Sequence, residues 1–153
     1  MAQDARYRTK VYLDTYLDNA NLTKDNGETQ VTFITCFSNP PYPIFRLFSY
    51  AEKEIDLVFA IGDPETTPLM GHDQKPYGYE EKIPICIFCV DKPGITGTKL
   101  RWKAEAELRR ILENYPYGSL RQLERVRDND QNLGSTTLYS RELILRYKRS
   151  TTV

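Results

Sequence analysis

Three runs decide the fold: Gly78-Tyr-Glu-Glu-Lys-Ile-Pro-Ile-Cys-Ile-Phe-Cys-Val90, Lys99-Leu-Arg-Trp-Lys-Ala-Glu-Ala-Glu-Leu-Arg-Arg-Ile-Leu-Glu-Asn-Tyr115 and Thr136-Thr-Leu-Tyr-Ser-Arg-Glu-Leu-Ile-Leu-Arg-Tyr-Lys148. In the first, Ile83, Ile85 and Ile87 share one strand face while Phe88 and Val90 lie on the other, so both faces carry apolar side chains. Pro84 has no N–H to donate and predicts an edge position or a bulge. In the second, Leu100, Ala104, Leu108, Ile111, Leu112 and Tyr115 recur at helical spacing, Glu105 and Arg109 form an i,i+4 pair, and Pro116 ends the helix. The third is a long strand with a basic end, Arg146-Tyr-Lys-Arg149. Between them, Asp91–Thr98 reads as a loop with Thr98 as helix cap, Gly118–Leu123 as one further turn, and Asp128–Gly134 as a polar hairpin turn.

Working outward, Ile55–Ile61 predicts a strand with Ile55, Leu57, Phe59 and Ile61 on one face. Residues 62–78 hold three prolines and three glycines and read as a long loop. Gln30–Phe37 is β-prone. In Ala5–Leu17, Tyr7, Thr9, Val11 and Leu13 alternate with Arg8, Lys10, Tyr12 and Asp14, which favours a strand. The helical alternative stacks Leu13 on Leu17 and Tyr12 on Tyr16. These two β-prone runs would form a hairpin around Asp25-Asn-Gly27, and Pro40, Pro41 and Pro43 a rigid connector. The expected fold is α+β: a mainly antiparallel β-sheet with one long helix packed across it. It forms a single domain over 1–153, with a β-rich part (1–54) and a sheet-plus-helix core (55–150).

Composition narrows the function classes. Lys+Arg and Asp+Glu number 21 each, so no overall charge argues for nucleic acid or a membrane. The polar N-terminus lacks the apolar stretch of a signal peptide, and no apolar run approaches a membrane span of about 18 residues. The charge is unevenly divided. Residues 1–98 carry 9 Lys+Arg and 14 Asp+Glu, a balance of −5; residues 99–153 carry 12 and 7, a balance of +5. Opposed halves suit attraction between copies, or simply two solvated faces. Eleven tyrosines suit contact surfaces and outer strand faces alike.

The motifs argue against catalysis. Cys86 and Cys89 have C-x-x-C spacing but sit in a strand, pointing to opposite faces, and with Cys36 make an odd set of reduced thiols for packing. His72, the only histidine, stands beside Asp73 in the 62–78 loop with no partner in view for general-base work. Asp128 and Asp130 do not start a calcium loop, because the sixth and twelfth places hold Leu133 and Tyr139. Gly94 and Gly97 do not make a phosphate loop. Glu80-Glu81 and Glu105/Glu107 read as solvated surface carboxylates. No cofactor or metal is expected.

The strand Ile55–Ile61, the strand Tyr79–Asp91, the helix Lys99–Tyr115 and the closing run Arg125–Tyr147 occur in an order that resembles the tail-terminator (tail-completion) proteins of long-tailed phages. The likeness lies in an Asp-rich turn, a small-residue step and a long strand ending in an aromatic, and it covers residues 55–149. Those proteins usually open with a helix, unlike the strand expected here. The resemblance implies a structural virion protein, assembled in the host cytoplasm. It would form a ring, commonly a hexamer, that ends the tail tube and meets neck proteins on the head side. It would set Arg125, Arg127, Arg146 and Arg149 against Asp63, Glu65, Asp73, Glu80 and Glu81 of neighbouring copies, with loop 62–78 along the tube axis. A neck or other head–tail joining protein has the same features. The alternative is a small-ligand or single-stranded nucleic-acid module presenting Tyr and Arg.

Overall fold

The computed structural model describes residues 5–39, 55–132, 134 and 136–150. Six strands form one sheet: β1 (Phe33–Phe37), β2 (Leu57–Ile61), β3 (Glu65–Met70), β4 (Pro76–Val90), β5 (Ser119–Asn132) and β6 (Thr137–Ser150). Two helices accompany them, α1 (Ala5–Tyr16) and α2 (Gly97–Leu112). The strand order is β1-β2-β4-β6-β5, with β3 also paired to β4. Only β1–β2 is parallel; every other pairing is antiparallel. The α+β, mainly antiparallel reading therefore holds, but with two helices instead of one. Among the described residues, no helix is long and apolar enough to cross a membrane.

β4 is the spine. β2 pairs with its residues 85–89 and β3 with its residues 76–82, while β6 runs along the other side. Pro84 falls in the gap between the two partners, and its carbonyl accepts the Gly62 N–H at 2.9 Å. A strand residue turns its N and its C=O to the same side, so the missing donor faces that gap. Pro84 thus occupies a local edge inside a central strand.

Both sheet faces are apolar, as the strand patterns require. α1 and α2 cover one face, packing Leu13, Leu100, Ala104, Leu108, Ile111 and Tyr115 on Leu57, Phe59, Ile61, Ile83, Ile85, Ile87, Leu143 and Leu145. The opposite face holds a smaller cluster, Val58, Ala60, Cys86, Phe88, Val90 and Leu138. Cys89 belongs to the first cluster and Cys86 to the second, so the pair points to opposite faces; both are buried thiols.

Several expectations are corrected. Residues 5–16 form a helix, not a strand. The strand reading buries Tyr7 and Val11, yet both are exposed; Thr9, Tyr12, Leu13 and Leu17 go inward at helical spacing. The hairpin with Gln30–Phe37 does not form, because β1 pairs in parallel with β2, Phe33 opposite Leu57. Residues 5–39 are therefore not β-rich: they hold α1, a 3-10 turn (Asn19–Asn21) and β1. Pro40, Pro41 and Pro43 and the run 44–54 lie outside the described residues.

Loop 62–78 is mostly hairpin. β3 finds a partner in the first half of β4, and only 71–75 turn, closed by Gly71 N–H to the Lys75 carbonyl at 3.0 Å and Gln74 N–H to the Gly71 carbonyl at 3.1 Å. Ser119–Leu123 of the expected turn Gly118–Leu123, and Asp128–Asn132 of the expected hairpin turn, belong to β5. The polar stretch stays extended because Asp128 finds Arg141 across the strand and Asp130 finds Arg101 of α2, so β5 continues to Asn132. Thr96, not Thr98, caps α2; its hydroxyl turns away to Asp25, and the Asp91 carboxylate accepts the Gly97 N–H at 2.7 Å. Glu81, Glu105 and Glu107, expected on the surface, are buried.

Candidate functional site

The basic half of the chain folds into the β5–β6 hairpin with α2 lying against it. β6 alternates inward Leu143, Leu145 and Tyr147 with half-buried Glu142, Ile144 and Arg146, so it closes the core. β5 beyond it is exposed along almost its whole length; only Leu123 is half-buried. With β6 on one side, β5 has no strand partner on the other among the described residues. Fourteen residues make an edge about 45 Å long. Two irregularities break its pairing, at Leu120, which has φ 53°, and at Val126, the extra residue of a bulge between Arg125 and Arg127. Both side chains are exposed. A bulky side chain in the left-handed region is strained, and an edge bulge re-aims its side chain.

The charges of this hairpin are largely matched inside the chain. Arg141, buried, grips Asp128 with two bonds of 2.7 and 2.8 Å. Arg101, also buried, reaches Asp130 at 2.7 Å and the Ser140 carbonyl at 3.1 Å. Glu105 of α2 gathers Arg109 at 2.8 Å, Arg125 at 3.0 Å and Arg141 at 3.1 Å. Burial works to raise the Glu105 carboxyl, but the hydrogen bonds from Arg125 and Arg109 outweigh it and hold it below its ordinary value. The Arg141 bond likewise lowers Asp128, against a smaller opposing push from burial.

The far end of the sheet is polar but closed. The Tyr147 O–H donates to buried Glu81 at 2.9 Å, Arg8 reaches the same hydroxyl at 3.4 Å, and Arg149 pairs with Glu81. The Tyr115 hydroxyl shares a hydrogen bond of 2.8 Å with Thr9, and its ring lies 5.0–5.4 Å from Tyr12, Tyr117 and Tyr147. Burial first, then the Tyr115 and Glu81 charges, push the Tyr147 hydroxyl far up. This network ties α1 to β4, β6 and the segment that follows α2.

The residues expected to meet other copies are placed as follows. Arg125 binds Glu105, Arg127 binds Glu142, Arg146 forks between Glu124 at 2.7 Å and Glu80 at 3.1 Å, and Arg149 binds Glu81. Asp63 accepts from Arg6 at 2.8 Å. These pairings lie within one chain. Glu65 and Asp73 stand exposed on the β3–β4 hairpin, with His72 beside Asp73 at its turn. The residues the spacing argument passed over are the exposed apolar ones: Met70, Tyr77, Trp102, Leu120 and Val126. Trp102 was legible, because it falls off the stripe formed by Leu100, Ala104 and Leu108. Leu120 and Val126 carry no such signal, since a bulge is set by register with the partner strand.

No family model matches the chain, and no curated protein is similar to it.

Proposed function

We propose that this chain is a structural protein that assembles with copies of itself. Following the resemblance carried by residues 55–149, its role is to close the tail tube of a long-tailed phage and join it to the head. Its partners are then further copies in a ring, the tail tube and the neck proteins.

The observation that carries the proposal is the edge of β5, which has no second strand partner among the described residues. An unpaired edge invites strand addition, and proteins commonly guard it with charge. Here the guard is turned inward: Glu124, Arg125, Arg127, Asp128 and Asp130 each bind a residue of β6 or α2. Their pairing removes much of the repulsion that keeps edges apart, and Leu120 and Val126 add apolar contact along the same strand. The hairpin is braced by α2, so little ordering remains to oppose association.

Size-exclusion chromatography with light scattering, at low and high salt, tests the proposal. A discrete oligomer is expected, and Val126→Asp is expected to shift it toward smaller species. A wild-type chain that stays monomeric at every concentration and salt would refute self-assembly.

A further inference from the structure

We infer that the outer face of α2 is a binding site for single-stranded nucleic acid, with Trp102 as the platform on which a base stacks. The inference goes beyond self-assembly and does not rest on it.

The site follows from the helix pattern. In α2 the inward stripe is Leu100, Ala104, Leu108, Ile111 and Leu112, which leaves Lys99, Trp102, Ala106, Arg109 and Arg110 exposed and Lys103 half-buried. The helix holds two acids, Glu105 and Glu107, and both are buried. Every charge that α2 shows to solvent is therefore positive. The chain as a whole is neutral, so this surplus is local.

Three open grooves follow this face end to end. The first, of about 440 Å3, lies against Lys99, Trp102 and Lys103. The second, of about 240 Å3, shares Trp102 and Lys103 with it and reaches Ala106 and Arg110. The third, of about 460 Å3, shares Ala106 and Arg110 with the second and ends between Arg109, Glu113 and Arg121. From Thr98 to Glu113 the chain rises about 22 Å along the helix axis. A furrow of that length suits one extended strand.

Five cations line it, Lys99, Lys103, Arg109, Arg110 and Arg121, against two carboxylates, an excess of three positive charges. Of the two, Glu107 is buried and already bound by Arg110 at 2.7 and 2.8 Å and by the Asp18 N–H at 2.7 Å. Glu113 stands exposed at the far end. Asp25, near Lys99 and Lys103, gives both oxygens to Thr96 at 3.0 and 2.7 Å. Arg109 pairs with Glu105 behind the lining, but Arg125 and Arg141 share that carboxylate.

The cations are held with donors to spare. The Lys103 ammonium donates to the Thr23 and Lys24 carbonyls at 3.1 and 3.0 Å, neutral acceptors that leave its charge unbalanced. Arg121 follows Leu120, whose φ of 53° interrupts β5, and reaches back to the Glu113 and Gly118 carbonyls at 3.0 and 2.8 Å. Strain of this kind is kept where a neighbouring side chain has a task. Among the described residues, Arg109 Nη2, Arg110 Nη1 and Arg121 Nη2 have no hydrogen-bond partner. Each guanidinium is fixed along one edge and offers another to a phosphate oxygen.

Trp102 narrows the ligand beyond its charge. Its indole is 65% exposed between Lys99 and Lys103. Aromatic faces set in a cationic groove hold single strands, because every base has a face to stack and every step a phosphate. The steps from Lys99 to Lys103 and on to Arg110 are about one and two helical turns, and a repeating backbone meets them in any register. An acidic peptide needs its carboxylates in matching register, and a duplex keeps its bases inside the stack.

Trp102 is the only tryptophan in the chain, so indole emission reports this site alone. The test titrates the full chain with an oligothymidylate of about eight nucleotides, with the same strand paired to oligoadenylate, and with polyglutamate. Indole emission and the anisotropy of labelled strands are read. Saturable quenching by the single strand is expected, with log K falling against log salt at a slope of about −2 to −3 for three or four phosphates. Trp102→Ala is expected to weaken binding about 10-fold, and Trp102→Phe to restore most of it. Lys99→Glu is expected to lower affinity and flatten the slope by about 0.7. Both side chains are exposed, so neither change opens the core. No saturable binding at low salt, equal quenching by polyglutamate, a duplex bound as tightly as the strand, or binding indifferent to Trp102→Ala each overturns the inference. A chain that binds the strand as expected yet stays monomeric refutes self-assembly alone.

Discussion

Replacing Glu105 by Gln removes a charge that three arginines share. Its carboxylate accepts from Arg109 at 2.8 Å, from Arg125 at 3.0 and 3.1 Å, and from Arg141 at 3.1 Å. The arginines are not equivalent. Arg109 and Arg125 are 45% exposed and recover water when the charge goes, so each contributes about 0–1 kcal/mol. Arg141 is 7% exposed and cannot be rehydrated. It keeps both Asp128 bonds, so its loss is one charge-assisted hydrogen bond, about 1.5–3 kcal/mol. The sum is about 1.5–5 kcal/mol, which for a chain of 153 residues lowers Tm by roughly 3–20 °C. The pH dependence follows from the direction of the shift. Glu105 titrates lower in the folded chain than its ordinary value of 4.5, so protonation favours unfolding. Its contribution is complete above that value and fades as the pH falls through the folded one. Urea unfolding followed by circular dichroism checks this. The gap between wild type and Glu105→Gln should be full at neutral pH and narrow steadily in the acid range. A gap under about 0.5 kcal/mol at neutral pH, or one that does not change on acidification, would refute the assignment of Glu105 as the shared counter-ion.

Two other outcomes follow from buried groups. Tyr147→Phe removes the hydroxyl that donates to Glu81 and accepts from Arg8, leaving a buried carboxylate one bond short. A loss of about 1–3 kcal/mol is expected in urea unfolding, and an unchanged midpoint would count against the network. Burial pushes the Cys89 thiol up to about 12 and the Cys86 thiol higher, whereas Cys36 is only half-buried with a smaller upward push. An aromatic disulfide reagent at mildly alkaline pH should therefore modify at most one thiol of the native chain, and the other two only as it unfolds. Three fast thiols would contradict the burial.

The parts of the fold legible in the chain are those where side-chain period and burial agree. The Leu100–Tyr115 stripe marks α2, and Leu57, Phe59 and Ile61 mark β2. The alternation from Ile83 to Val90 places Cys86 and Cys89 on opposite faces. β6 declares itself by Leu143, Leu145 and Tyr147. α1 was not legible, because Tyr7, Thr9, Val11 and Leu13 satisfy a strand as well as Thr9, Tyr12, Leu13 and Leu17 satisfy a helix. Packing against the sheet, and the Thr9–Tyr115 hydrogen bond, break that tie. The Asp-rich end of β5 has the composition of a turn; it is extended because Arg141 and Arg101 wait across the strand and on α2. Glu81 and Glu105 look like surface carboxylates until arginines distant in sequence close over them.

What the chain determined alone was the inventory: an amphipathic helix, apolar strands and the two core thiols Cys86 and Cys89, each set by the period of neighbouring side chains. What tertiary structure alone decided was the partnership: β1 beside β2 in parallel, β3 folded back on β4, β5 left without a second strand partner among the described residues, and which opposite charges meet. Period is a local property, carried by residues a turn or a pleat apart. Pairing between strands and between charges depends on groups up to more than sixty residues distant, whose meeting is settled only when the core closes.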